Sequence, residues 1–186
     1  MIDCSWEALY EAFYPTGNLA RAILEKHSRS VAQLAIEFNE RLTPRLDTEQ
    51  VVLASMLHDI GIFLTNAPSI DCHGCQPYLR HGILGADLLR RHGYPEYLAR
   101  VAERHTGSGL THTQALALGI NVPESRILYP DTTLERLICY ADKFYSKTGT
   151  MQRKPLNKVR ASLARFGSDA LSRFDDLLAQ FGEPSE

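Results

Sequence analysis

The 186-residue chain has no apolar run of membrane-spanning length. Asp3, Glu7 and Glu11 interrupt its first residues, so nothing there reads as a secretory leader. A cytoplasmic protein with no membrane contact is the expectation. It also lacks a block of basic residues, and its net charge is −2. That removes the electrostatic footprint needed to bind a nucleic-acid polymer. Four cysteines are too few for a disulfide framework in a chain this long. No strand pattern, internal repeat or low-complexity stretch stands out. What is present is ordinary globular material: 44% hydrophobic and 23% charged residues, enough for the core of a single domain spanning residues 1–186.

The apolar residues recur at helical spacing. Ser5 is placed to cap a short helix bearing Trp6, Leu9 and Phe13. After the break at Tyr14–Gly17, Asn18–Leu42 carries a stripe of Leu19, Ile23, Leu24, His27, Val31, Leu34, Ala35 and Phe38. Thr43-Pro44 ends it, and Asp47 caps Thr48–His58. Residues 60–79 read as irregular. Further helices are expected over His81–Arg91, through Leu98, Val101, Ala102 and His105, and from Thr111 to Leu118. Another carries Leu134, Leu137, Ile138, Ala141 and Asp142. Pro155 opens one more, and Ser168 caps the last, which Gly182 stops. The fold class is therefore all-α, a bundle of roughly eight short helices.

The chemistry centres on Met56-Leu57-His58-Asp59-Ile60-Gly61. A His–Asp pair closing a buried helix is costly unless both groups are satisfied. Three further histidines, His27, His81 and His105, follow apolar stripes on other helices, and Asp142 lies beside another. One core histidine needs only a hydrogen bond. Four of them with two aspartates call for a shared metal ion, which imidazole and carboxylate both ligate well.

The order His…His-Asp…His…His…Asp resembles the HD-domain metal-dependent phosphohydrolase superfamily in its His-Asp-Ile-Gly form. The likeness covers about residues 18–148 and rests on separate pieces: Glu25-Lys26-His27-Ser28, His58-Asp59-Ile60-Gly61, His81-Gly82 with Gly85, Arg104-His105-Thr106-Gly107, and Tyr140-Ala141-Asp142-Lys143. The fourth and fifth look most like small stand-alone members, some of which hydrolyse dinucleoside polyphosphates. The resemblance implies that His27, His58, Asp59 and Asp142 hold one metal. A second would map to His81 and His105, with Asp59 bridging. The implied cofactor is one or two divalent transition metals, with iron or manganese favoured over zinc, nickel or cobalt. The implied reaction is hydrolysis of a phosphate ester or anhydride of a small molecule, most naturally a nucleotide. A metal-bound hydroxide would attack the phosphorus, with His58 and Asp59 at its heart. Arg80, Arg104, Lys143 and Lys147 adjoin or follow these motifs and are the candidates for phosphate contact. Thr106–Gly109 could add backbone N–H groups. Two readings compete with hydrolysis: a di-iron oxygenase of the same fold, and a metal- or nucleotide-binding module without turnover.

Many His-Asp-Ile-Gly members carry Lys or Arg after the glycine, and here Ile62 stands there. No Gly-Tyr-Pro signature follows His105, which disfavours the cyclic-di-GMP branch. Cys72-His73-Gly74-Cys75 has no second cysteine pair at zinc-finger spacing and reads as part of a loop overhanging the cleft. His92 and His112, near helix ends, are expected in solvent. Tyr140, Phe144 and Tyr145 have a base-stacking and a core reading, of which the core is the commoner. Residues 155–181 form an amphipathic helix pair that either closes the bundle or makes a homodimer contact.

Overall fold

The computed structural model describes residues 5–185. Among them are nine α-helices: α1 (Trp6–Phe13), α2 (Leu19–Asn39), α3 (Thr48–Leu57), α4 (His81–Arg91), α5 (Glu96–Arg104), α6 (His112–Ala117), α7 (Thr133–Lys143), α8 (Leu156–Ala164) and α9 (Ser168–Phe181). The all-α reading holds. Asp3 and Cys4 lie outside the described residues. The expectation of no strand needs one correction. Asn66–Ala67 (β1) and Cys72–His73 (β2) pair antiparallel, Asn66 opposite His73 and Ala67 opposite Cys72. Strands of two residues are too short to show an alternating pattern.

Helix starts follow from capping side chains. The Asn18 side chain accepts from Arg21 N, and Asp47 accepts from Glu49 N and Gln50 N. Thr111 with Gln114, and Thr132 with Glu135, form reciprocal capping boxes. Ser168 does not cap α9 as expected. It is the first helical residue, and Gly167 precedes it at φ 95° with no side-chain bond to give.

Most stripe residues face inward: Leu24, Val31, Phe38, Leu57, Leu98, Val101, Leu137 and Ile138 are all buried in one core, whereas Leu19, at the start of α2, is exposed. Ile83, Leu110, Ala115, Ile120, Val122 and Leu128 form a second, smaller cluster under α6 and the following loop. Tyr140 and Phe144 are fully buried, so the core reading applies to them and base stacking does not. Tyr140 meets Phe174 and Phe181 of α9 at ring distances of 5.3 and 5.7 Å. The α8–α9 hairpin thus closes the bundle against α7.

Two close approaches seat α4, one on the His58-Asp59 turn and one on α5. A Cβ on Gly61 would stand 2.4 Å from both Gly85 N and His81 O. One on Gly82 would stand 2.4 Å from Ala102 O of α5. Only glycine lets those backbones meet, and the contact sets His81 beside Asp59. From the other side α1 braces the same turn. Tyr10 OH donates to Met56 O (2.8 Å) and Tyr14 OH to Ile60 O (2.8 Å).

Candidate metal centre

Five helices deliver six side chains to one point. His27 lies within α2. His58 caps the C-terminus of α3, and Asp59 follows it. His81 begins α4, His105 caps α5, and Asp142 is in the last turn of α7. All six are buried, His58 and Asp59 completely.

The two oxygens of Asp59 face different partners. Oδ2 lies 3.1 Å from His27 Nε2 and 2.9 Å from His58 Nε2. Oδ1 lies 3.3 Å from His81 Nε2 and 3.4 Å from His105 Nε2. Asp142 Oδ1 completes the first group, 3.0 Å from His27 Nε2 and 3.6 Å from His58 Nε2. The potential ligand atoms of His27, His58, Asp59 and Asp142 all fall within 4.8 Å of one another, as do those of Asp59, His81 and His105.

The ring orientations are fixed from behind. His58 Nδ1 sits 2.6 Å from Ser55 O, His81 Nδ1 2.7 Å from Tyr78 O, and His105 Nδ1 2.7 Å from Ala102 O. A carbonyl only accepts, so each Nδ1 carries the proton. In the neutral ring Nε2 then turns a lone pair to the centre, the usual arrangement of a ligating histidine. Those nitrogens crowd together: His27 and His58 Nε2 are 3.3 Å apart, His81 and His105 Nε2 3.0 Å. Lone pairs so close repel unless a cation or proton lies between them. Both Asp59 oxygens are buried without a hydrogen bond of good geometry, which is costly for a carboxylate unless a cation compensates it. This donor set fits a divalent metal ion.

The centre already attracts positive charge. Lys147 Nζ lies 2.5 Å from Asp59 Oδ2 as an ion pair. Burial raises the Asp59 pKa, but His58 and Lys147 outweigh it and hold the carboxyl well below the usual range. Burial likewise raises Asp142, and Lys143 with the two neighbouring histidines overcomes that. For His58, burial lowers the pKa, yet Asp59 and Asp142 lift it to about 9. Burial wins at His81, taking it down to about 3, and lowers His105 in the same direction.

The centre opens into a cavity of about 850 Å³ lined by His81, His105 and Asp142 at its inner end. Of the four cations expected at the substrate, Lys143 and Lys147 line it. Lys143 Nζ donates to His105 O (3.0 Å) and pairs with Asp142 Oδ2 (2.5 Å). Arg80 and Arg104 are elsewhere. Arg104 is buried against Glu135 (2.9 Å), and Arg80 donates to Gln76 (3.1 Å). Each precedes a histidine on a helical path, which turns it about 100° away from its neighbour. Ile62 is wholly buried, so no phosphate contact comes from the position after Gly61. Thr106–Gly109 does line the cavity.

The loop that carries the cysteines does border the cavity, but not through the cysteines themselves. Residues 66–70 line the cavity, whereas Cys72 is buried with its thiol donating to Ile70 O, and Cys75 faces solvent. His92 is exposed as expected, but His112 is half-buried. Sequence reasoning missed the bracing tyrosines of α1, because a core tyrosine leaves no positional signal of its hydroxyl's partner. It missed the buried Glu135 as well, although Thr132-x-x-Glu135 is a legible capping box.

Comparison with known proteins agrees with this geometry. The HD domain family matches residues 24–146, which include all six converging side chains. An uncharacterized protein of Methanocaldococcus jannaschii is 35% identical over 128 residues, 67% of this chain and 68% of that protein. Two proteins named tRNA (cytidine(56)-2'-O)-methyltransferase, from Picrophilus torridus and Thermoplasma volcanium, are each 29% identical, over 134 and 123 residues. Those matches cover 72% and 66% of this chain but only 35% and 32% of the relatives, about a third of their length. No solved structure matches. No helix among the described residues is long and apolar enough to cross a membrane. With two-thirds of its length matched and the histidine–aspartate cluster lying inside the match, the chain belongs to the HD domain family.

Proposed function

We propose that the protein is a metal-dependent phosphohydrolase acting on a phosphate ester or anhydride of a small molecule, most naturally a nucleotide. The observation that carries this reading is the division of Asp59. One oxygen faces His27 and His58, and the other faces His81 and His105. A carboxylate so placed suits two cations, and mixed nitrogen and oxygen ligation suits iron or manganese, with zinc, nickel or cobalt as further candidates. Such ions supply Lewis acidity and make a bound water easier to deprotonate.

The chain's own groups then have defined tasks. His27, His58, Asp59 and Asp142 would hold one ion, and His81 and His105 with Asp59 the other. The carbonyls of Ser55, Tyr78 and Ala102 keep three rings in the ligating tautomer. Lys143 and Lys147, at the inner end of the cavity, neutralise phosphoryl oxygens. Burial of the centre keeps these charges effective. A cavity of about 850 Å³ accommodates a nucleotide-sized molecule. The net charge of −2 gives no footprint for a polymer, so the tRNA methylation in the names of two relatives is not proposed for this chain.

Protein loaded with Mn²⁺ or Fe²⁺ and screened against phosphomonoesters, phosphodiesters and dinucleoside polyphosphates tests the proposal. Release of phosphate that persists without oxygen is expected. Release of nothing would favour a binding module, and turnover only with oxygen would favour a di-iron oxygenase.

A further inference from the structure

The α8–α9 hairpin and the segment entering it lie beyond the family-matched residues, yet they form one wall of the cavity. This wall is anchored. Lys154 N donates to Phe144 O at 2.7 Å, and Ser108 Oγ donates to Ala170 O at 2.6 Å. The Arg173 guanidinium donates to Ser108 O and Gly109 O at 3.3 and 2.9 Å. The hairpin therefore stands in register with the loop after His105. It contributes buried Val159 and Leu163 and exposed Phe166 to the lining, while Arg165 bonds to Ser162 and Arg173 to the loop carbonyls.

Three lysines line the same cavity, and two already have partners. Lys143 is held by Asp142 and His105 O, and Lys147 by Asp59. The half-buried Lys154 ammonium has neither a hydrogen bond nor an ion pair among the described residues. Burial lowers its pKa; the Asp142 charge opposes this, and the like charges of Lys143 and Lys147 add to it, leaving the ammonium below its ordinary range. An anion beside it would relieve both effects. We infer that Lys154 is a specificity residue that binds a second anionic group of the substrate, while the apolar hairpin wall takes the organic remainder. The inference rests on the phosphohydrolase reading for where the first phosphate sits. It gives the segment outside the family match the task of choosing among phosphorylated molecules.

Calorimetric titration of orthophosphate and pyrophosphate into Mn²⁺-loaded wild type and Lys154→Met tests this; comparing the two proteins cancels binding of the anions to free Mn²⁺. Wild type should bind pyrophosphate at least about tenfold more tightly than orthophosphate. Lys154→Met should remove about tenfold of that affinity, the scale of one charge-assisted hydrogen bond, and leave orthophosphate within about twofold. Lys154→Arg should restore most of the loss. An unchanged pyrophosphate affinity in Lys154→Met, an equal loss for both anions, or no wild-type preference would each overturn the inference. If the same protein hydrolyses no phosphate compound, the phosphohydrolase reading fails while the binding ratio still decides the role of Lys154.

Discussion

The two halves of the candidate metal centre are built unequally. The half with His27 and His58 has two carboxylates, Asp59 and Asp142, and neither of its histidines lines the cavity. The half with His81 and His105 has only the far oxygen of Asp59, and both of its histidines line the cavity. Charge and burial make the first half the tighter cation site. The second depends on the first through a shared residue and turns both histidines to the cavity, which the first half reaches only through Asp142. A structural anchor and a working face are thus joined by one carboxylate, and breaking that joint should undo both.

Asp59→Ala is the severest test. It removes the bridging group and leaves four histidines with one carboxylate. Elemental analysis should find most bound metal gone, and phosphatase assays should find no activity. Full metal content in this variant would mean the two halves do not share Asp59. His81→Ala combined with His105→Ala should have a smaller effect on metal content, retaining one ion of two because the first half keeps its ligands. Loss of both ions, or retention of both, would show that the halves are not separable in the way the distances suggest.

Acidity should separate them further. His58 has a folded pKa of about 9, above its ordinary 6.5. Its proton therefore stabilises the metal-free fold fully below pH 6.5, and that contribution is lost as the pH rises through 9. A cation at the first half must displace this proton from Nε2. Its affinity should weaken about tenfold per pH unit on descending from 9 toward 6.5, the slope of one proton. His81, held down to about 3, is already neutral in that range and has no proton to give up. Titrations in buffers of different ionisation enthalpy should count about one proton released at the first half and none at the second. Equal release at both would erase the distinction.

The anchor was easier to read in the sequence than the working face. His27, His58 and Asp142 sit on or beside apolar stripes, where a titratable side chain is conspicuous. The same logic found His81 and His105, and the helices themselves followed from period and caps. Lys143 and Lys147 reached the cavity, but Arg80 and Arg104 did not, because adjacency along a helix says little about direction. The helix pair over 155–181 was legible, but neither its place as a cavity wall nor that of Lys154 was. Their place depends on how α8 and α9 fold back on the loop after His105, a contact between Ser108 and Ala170, 62 positions apart. Gly61 and Gly82 could be read only as members of their motifs, whereas the structure shows them as the points where α4 touches its neighbours.

The smallest effect expected lies behind the anchor. Tyr10 OH and Tyr14 OH hold the carbonyls of Met56 and Ile60, on either side of His58-Asp59. Tyr10→Phe removes a hydroxyl from a fully buried ring and leaves Met56 O without that donor. Thermal or urea unfolding should show a loss of about 1 kcal/mol, the ordinary scale of one buried hydrogen bond. Metal content should stay near that of wild type, because no ligand is lost. The sharper comparison is with Tyr14→Phe, whose hydroxyl donates to Ile60 O and also accepts from Phe63 N. That variant should lose somewhat more stability, since it leaves two fixed backbone groups unmatched, whereas Tyr10→Phe leaves one carbonyl and the Ser28 hydroxyl, which can turn to its own helix. If either substitution lowered metal content as far as Asp59→Ala, the tyrosines would be setting the ligand geometry itself. The anchor would then extend through α1 as well as the helices that bear its ligands.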